Sequence, residues 1–204
     1  MQIETFVLGD LQTNCYLLTS NAAGFENSAI IIDPADDGDF LNDELLHRGL
    51  KLQNIILTHG HFDHCLGLLS LKSAWGTPIM MNFADQFLLE KAQASAAHWL
   101  GTKSDPIPPA DFDLAKTKNL DILGEEIEII QTPGHTPGSI CLLNKKEKIL
   151  FSGDTIFANG NIGRTDFAYS DGKKMSKSLE KLKELNQQGY YGQVYPGHGE
   201  SYFL

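Results

Sequence analysis

The segment Thr58-His59-Gly60-His61-Phe62-Asp63-His64 brings three imidazoles and a carboxylate together directly after the apolar run Asn54-Ile55-Ile56-Leu57. An apolar strand that ends in such a cluster sets its side chains at the end of a sheet, where open α/β folds bind ligands. A polar loop that merely happens to be rich in histidine is the plainer alternative. Against it, the chain has only seven histidines, and three of them sit here. Two more, His135 and His198, stand in the turn-like settings Pro133-Gly134-His135-Thr136-Pro137-Gly138 and Pro196-Gly197-His198-Gly199, with the acidic turn Ser152-Gly153-Asp154-Thr155 between them. Neutral imidazoles and carboxylates are borderline to hard ligands that suit zinc, iron or manganese. The chemistry on offer is that of a metal centre.

Taken together and in this order, the His-x-His-x-Asp-His cluster, the lone histidine in its Thr-Pro-Gly-His-Thr-Pro-Gly turn, Gly-Asp-Thr and the late Pro-Gly-His resemble the metallo-β-lactamase superfamily. Within it, Gln12-Thr13-Asn14-Cys15-Tyr16-Leu17-Leu18 and Gly163-Arg164-Thr165-Asp166 are similar to short glyoxalase II-like hydrolases. The resemblance implies an αββα four-layer sandwich, expected here as a single domain over residues 1–204. It also implies two divalent metal ions, zinc first and iron or manganese as alternatives. By the same resemblance His59, His61 and His135 hold one ion, Asp63, His64 and His198 hold the other, and Asp154 bridges them. The nucleophile is then a hydroxide between the metals, which Asp63 orients or relieves of a proton.

Five further residues carry two readings each. Asp33 is a turn residue satisfying nearby amides, or, as in the family, a brace that fixes the tautomer of a ligating histidine. Cys65 is a small buried residue at the start of a helix, or a sulfur ligand or redox-sensitive thiol. The first reading is favoured because the seven family ligands already account for both ions. Arg164 and Asp166 pair with each other across their loop, or brace the site and touch substrate. Tyr195 packs the last strand, or points its hydroxyl at the substrate.

The activity this resemblance implies is hydrolysis of a small-molecule thioester of the hydroxyacyl-glutathione kind. Full-length glyoxalase II enzymes carry a further C-terminal helical region with much of the glutathione pocket, and this sequence stops at Leu204, so another thiol carrier or a broad substrate range is expected. The main rival is a mononuclear iron persulfide dioxygenase holding its metal with His59, His135 and Asp154. A nuclease, a β-lactamase and a metal-binding module without turnover rank below these two.

The elements that must position these residues follow from pattern. Apolar runs predict strands at 3–8, 14–19, 29–32, 52–57 and 79–81, and later at 118–123, 126–131, 139–144, 147–151 and 192–195. Helical periodicity predicts helices over 37–48, from about 63 to 74, over 83–98 and over 173–188. The apolar face of the first holds Phe40, Leu41, Leu45 and Leu46. The proline-rich stretch from Gly101 to Ala115 is read as a loop over the site or as a plain connector. Hydrophobic content of 42% and charged content of 21% belong to a globular chain. A net charge of -10 argues against nucleic-acid binding. Three scattered cysteines fit a reducing compartment. No secretory signal is read at the start, and no apolar stretch approaches the roughly 20 residues of a membrane span, so a cytoplasmic enzyme with no membrane partner is expected.

Overall fold

The computed structural model describes residues 1–204. Strands β1 (Gln2–Leu8), β2 (Thr13–Thr19), β3 (Ser28–Ile32), β4 (Lys51–Ile56), β5 (Ile79–Met81) and β6 (Phe112–Asp113) form one sheet in that spatial order. Strands β7 (Asn119–Ile122), β8 (Glu125–Gln131), β9 (Ile140–Asn144), β10 (Ile149–Gly153), β11 (Gln193–Pro196) and β12 (Tyr202–Phe203) form the second. Both sheets are mixed. β3 to β6 run parallel, as do β10 and β11, while the remaining neighbours are antiparallel.

Alternation along single strands builds the layers. In β2, Tyr16 and Leu18 enter a core with Ile30, Ile32, Ile129, Ile140, Leu142 and Phe151, which is the space between the sheets. Their neighbours Cys15 and Leu17 face the other way and pack with Leu41 and Leu45 of helix α1 (Gly38–His47), Leu68 and Leu71 of α2 (Leu68–Trp75), and Leu89 and Ala92 of α3 (Gln86–Leu100). On the outer face of the second sheet, Ile130, Cys141, Leu143 and Leu150 pack with Leu182 of α4 (Gly172–Gln187). Strands buried on both faces read as continuous apolar runs, which is why β3 is Ser-Ala-Ile-Ile-Ile. The four layers, helices, sheet, sheet, helix, are the expected αββα sandwich.

Several boundaries differ from the sequence reading. The helix expected from residue 63 starts only at Leu68, preceded by a 3₁₀ turn at Phe62–His64. The intervening backbone bonds elsewhere: Gly67 N–H donates to Ala35 O at 2.7 Å and His64 O accepts from Ala35 N–H. The helix expected from 83 begins at Gln86, because Asn82 caps the amide of Ala84 and makes a 3₁₀ turn first. Leu46, placed on the apolar face of α1, is 65% exposed. β6 and β12 went unread, since two residues carry no period. No residue of 101–115 lines the cavity at the histidine cluster. Ile107 and Ala110 of that stretch pack against the helix-side core instead, so it is a connector. No helix is long and apolar enough to cross a membrane.

Candidate metal centre

Parallel strands deliver the site. β3 ends into Asp33, β4 runs on into the 58–64 segment, β10 ends into Asp154 and β11 into His198, while His135 lies in the turn between β8 and β9. The two sheets are tied at this edge. Ile140 N–H donates to Thr58 O at 2.9 Å, and Asn14 N–H donates to Gly197 O at 2.8 Å. The side-chain amide of Asn14 adds bonds to the carbonyls of Pro196 and Gly199, both at 2.8 Å. That accounts for the early Thr-Asn-Cys-Tyr stretch: it holds the last histidine loop against the first sheet.

Five imidazoles and two carboxylates converge. His61 Nδ1 lies 3.1 Å from His59 Nε2 and 3.0 Å from His135 Nε2. Asp154 Oδ2 is 3.5 Å from His135 Nε2, 4.0 Å from His59 Nε2 and 3.6 Å from His198 Nε2, while its Oδ1 is 3.5 Å from His64 Nε2. Asp63 Oδ2 is 3.3 Å from His198 Nε2 and 3.5 Å from His64 Nε2. Asp33 lies within reach of His59 and His64, and the remaining donor atoms fall into one group of His59, His61, His135 and Asp154 and another of Asp63, His64 and His198. Asp154 stands between them.

The outward nitrogens of the same rings are all engaged. His59 Nδ1 meets Thr58 Oγ1 at 3.1 Å, and that hydroxyl donates in turn to Asp33 Oδ2 at 2.6 Å. His61 Nε2 meets the Tyr169 hydroxyl at 2.8 Å, and His64 Nδ1 meets Asp33 Oδ2 at 3.0 Å. His135 Nδ1 donates to Arg164 O at 2.8 Å, and His198 Nδ1 to Leu11 O at 3.1 Å. A neutral imidazole has one N–H. His59 and His135 spend that proton outward, so the inward Nε2 of each turns a lone pair toward His61 Nδ1, about 3 Å from both. One proton on His61 Nδ1 could serve only one of those lone pairs, whereas a cation would serve both. Donor atoms bound at 2.0–2.1 Å in a tetrahedron stand about 3.3 Å apart, close to the separations here. His64 Nε2 and Asp154 Oδ1 are buried with no hydrogen-bond partner, a costly state that a shared cation would relieve.

The two halves differ electrically. Burial, with the neighbouring imidazoles, pushes His59 well below the usual histidine range and His61 down to about 3. Burial would lower His64 too, but the carboxylates of Asp63, Asp154 and Asp33 outweigh it and raise it to about 10. Asp63 shows the reverse balance: burial would raise it, yet His64 and His198 hold it below the usual carboxylate range. One half is rich in neutral imidazole, the other in carboxylate.

Asp33 sits under this second half with no solvent exposure, in the left-handed region at φ 51, a conformation aspartate tolerates better than most residues. It accepts from Thr58 N–H, the Thr58 hydroxyl and His64. Gly197 is required by close approach: a Cβ there would stand 2.1 Å from Asp154 Oδ1. Cys65 is buried in the helix-side core, its Sγ reaching Phe62 O at 3.4 Å, and it belongs to neither donor group. Arg164 and Asp166 form a bidentate pair at 2.9 and 2.8 Å, exposed, with the guanidinium 4.7 Å from the Phe167 ring centre. Tyr195 packs on Tyr16 and Phe151 and is not on the cavity wall, so its hydroxyl does not face a substrate there.

Sequence reasoning missed three residues. Tyr169 backs His61 and lines the cavity. Thr13 donates to Asp63 Oδ2 at 2.9 Å. Asp85 is fully buried and joins the two loops of the imidazole-rich half: its carboxylate accepts from Gly60 N–H at 3.1 Å, the Thr136 hydroxyl at 2.6 Å and Gly138 N–H at 2.6 Å. In sequence, Asn82-Phe83-Ala84-Asp85 reads as an ordinary helix start, and nothing local betrays the long-range bonds.

Residues 8–198 match the metallo-β-lactamase superfamily. The chain belongs to that superfamily. Among its relatives, the Haemophilus influenzae protein named hydroxyacylglutathione hydrolase GloC is 33% identical over 201 residues, covering 98% of this chain and 91% of that one. The solved structure of the BLEG-1 B3 metallo-β-lactamase superposes with a TM-score of 0.86 at 30% identity, over 99% of this chain and 94% of that one. TTHA1623 in a di-iron-bound form superposes with a TM-score of 0.83, also at 30% identity, over 98% and 94%. As a member of the metallo-β-lactamase superfamily, the chain has the fold of metal-dependent hydrolases, and its His/Asp clusters suit divalent metals.

Proposed function

We propose that the chain is a dinuclear metal-dependent hydrolase of thioesters. The observation that carries the reading is the division of labour in five imidazoles, each with one nitrogen turned inward and the other held by an outer partner. His59, His61 and His135 would hold one ion and Asp63, His64 and His198 the other, with Asp154 in reach of both sets. A bound metal pair lowers the pKa of water and polarises a carbonyl. The residues do the rest. Asp33, Thr58 and the carbonyls of Arg164 and Leu11 fix the tautomers of His64, His59, His135 and His198, and the Tyr169 hydroxyl holds the His61 ring. Asp63 engages through Oδ2 and leaves Oδ1 without a protein partner, placed to orient the attacking oxygen and take its proton. As that oxygen bonds to the thioester carbon, the C–S bond breaks and thiolate leaves. Zinc is the first choice of metal, with the di-iron form of TTHA1623 keeping iron in view.

The name of the GloC relative supports a thioester, and the likeness to BLEG-1, called a B3 metallo-β-lactamase, puts a β-lactam on the same panel. The second reading, a mononuclear iron persulfide dioxygenase, draws on the convergence of His59, His135 and Asp154. The position of His61 between the first two, and the complete second group, favour the hydrolase. Metal-quantified protein assayed with S-lactoylglutathione and simpler thioesters, beside His61→Ala, tests this. Hydrolysis lost at least 100-fold in the variant is expected. Oxygen uptake with a persulfide and no thioester hydrolysis would overturn it in favour of the dioxygenase.

A further inference from the structure

Above the metal cluster lies a cavity of about 470 Å³, within the size range of small-molecule sites. Its floor is the accessible part of the ligand set, His61, Asp63, His135, Asp154 and His198, and the only acidic residues in the lining, Asp63 and Asp154, belong to that floor. The walls are apolar. Phe87 and Trp99 come from α3, Ile162 from the loop after β10, and Phe167 stacks on Tyr169 at 5.3 Å and 12°. Leu11, Trp99 and Ile162 on this wall are 44%, 58% and 46% exposed, among the few large apolar side chains the chain leaves in water. The cavity therefore offers apolar surface waiting for an apolar partner.

Two cations line it. Arg164 is neutralised by its bidentate pair with Asp166. Lys91 is not neutralised: the ion pairs of the chain's lysine and arginine residues belong to Arg48, Lys72, Lys145, Lys146 and Arg164. Its ammonium lies 5.6 Å from the Phe87 ring centre, on the same wall. Outside the floor, no free carboxylate lines the cavity for a substrate ammonium.

We infer that this cavity takes an acyl group that is apolar along its length and ends in a single anion, read by Lys91. This deepens the thioesterase reading and rests on it for the bond that is cleaved. A glutathione moiety, with carboxylates at both ends and an ammonium, matches these walls less well than a medium-chain dicarboxylic half-thioester does. Trp99 and Lys91 become the specificity-determining residues.

The test uses thioesters of one small neutral thiol, N-acetylcysteamine, bearing acetyl, butyryl, heptanoyl and pimeloyl groups, the last two matched in length. Burial of each added methylene is worth about fourfold in kcat/KM, so heptanoyl should exceed acetyl strongly, and Trp99→Ala should flatten the series. The terminal carboxylate of pimeloyl should add up to about fivefold over heptanoyl through an ion pair with the exposed Lys91, and that ratio should fall to about one in Lys91→Ala. Were the metals to bind the carboxylate instead, the ratio would survive in Lys91→Ala and the inference would fall. Equal rates for acetyl and heptanoyl would also overturn it while leaving the thioesterase standing. The ketone analogues, in which CH₂ replaces sulfur, read binding by calorimetry without turnover. Affinities that follow chain length and Lys91 in a protein hydrolysing none of the thioesters would sink the thioesterase and keep the cavity's preference. Affinities indifferent to both would sink the inference.

Discussion

At the scale of single residues, two buried carboxylates split the work of support. Asp33 braces His64 directly and His59 through the Thr58 hydroxyl, while Asp85 ties only the loops carrying His59, His61 and His135. Replacing Asp85 by Asn keeps the shape but turns an N–H₂ toward a backbone or hydroxyl donor on one side. Loss of such an outer partner costs about 10–100-fold in metal affinity. Asp85→Asn is therefore expected to weaken one of two metal equivalents and spare the other, as read by a zinc competition titration. Asp33→Asn should weaken both, because Asp33 meets His64 directly and His59 through the Thr58 hydroxyl. Equal weakening of both by Asp85→Asn would contradict its one-sided role. The candidate ligands were legible in two ways, His59, His61, Asp63 and His64 as a dense cluster of rare residue types, and His135, Asp154 and His198 through the resemblance of their turns to the family's motifs. Asp85 and Tyr169 were not, because they act through loops distant in sequence: Asp85 is 53 positions from Gly138, and Tyr169 is 108 from His61.

At the scale of elements, the strand ends do the positioning, and glycine lets them approach. Gly197 brings the β11 turn against Asp154 and the His64 ring, with no room for a methyl group. Gly197→Ala should abolish metal-dependent hydrolysis while far-ultraviolet dichroism stays unchanged, since a shift of the 196–199 turn relieves the clash. Retained activity would mean the turn is looser than its packing indicates. Strands long enough to show alternation, such as β2 and β8, were readable to within a residue or two. The start of α2 was not: the cluster's loop spends its backbone bonds on Ala35, a tertiary preference that periodicity does not record.

At the scale of the whole molecule, the site is the place where the two sheets meet, so its occupancy and the fold's stability are linked. Three buried or nearly buried carboxylates, Asp33, Asp63 and Asp154, lie among five imidazoles. Removing bound metal leaves that charge and the unpaired His64 Nε2 uncompensated. A ligand present at about 1,000 times its Kd stabilises by about 4 kcal/mol, which for a domain of this size is on the order of 10 °C in Tm. Chelation should lower Tm by about that much and zinc should restore it. An unchanged Tm would show that the cluster is no metal site. Leu142→Ala, in the core between the sheets, should cost about 2–5 kcal/mol by chemical denaturation without altering metal stoichiometry.

The most direct test of the dinuclear centre is anomalous diffraction from crystals grown with zinc. Two peaks per chain are expected, about 3.5–4 Å apart, one among His59, His61 and His135 and the other among Asp63, His64 and His198, with Asp154 reaching both. A single peak held by His59, His135 and Asp154, or none at all, would contradict it.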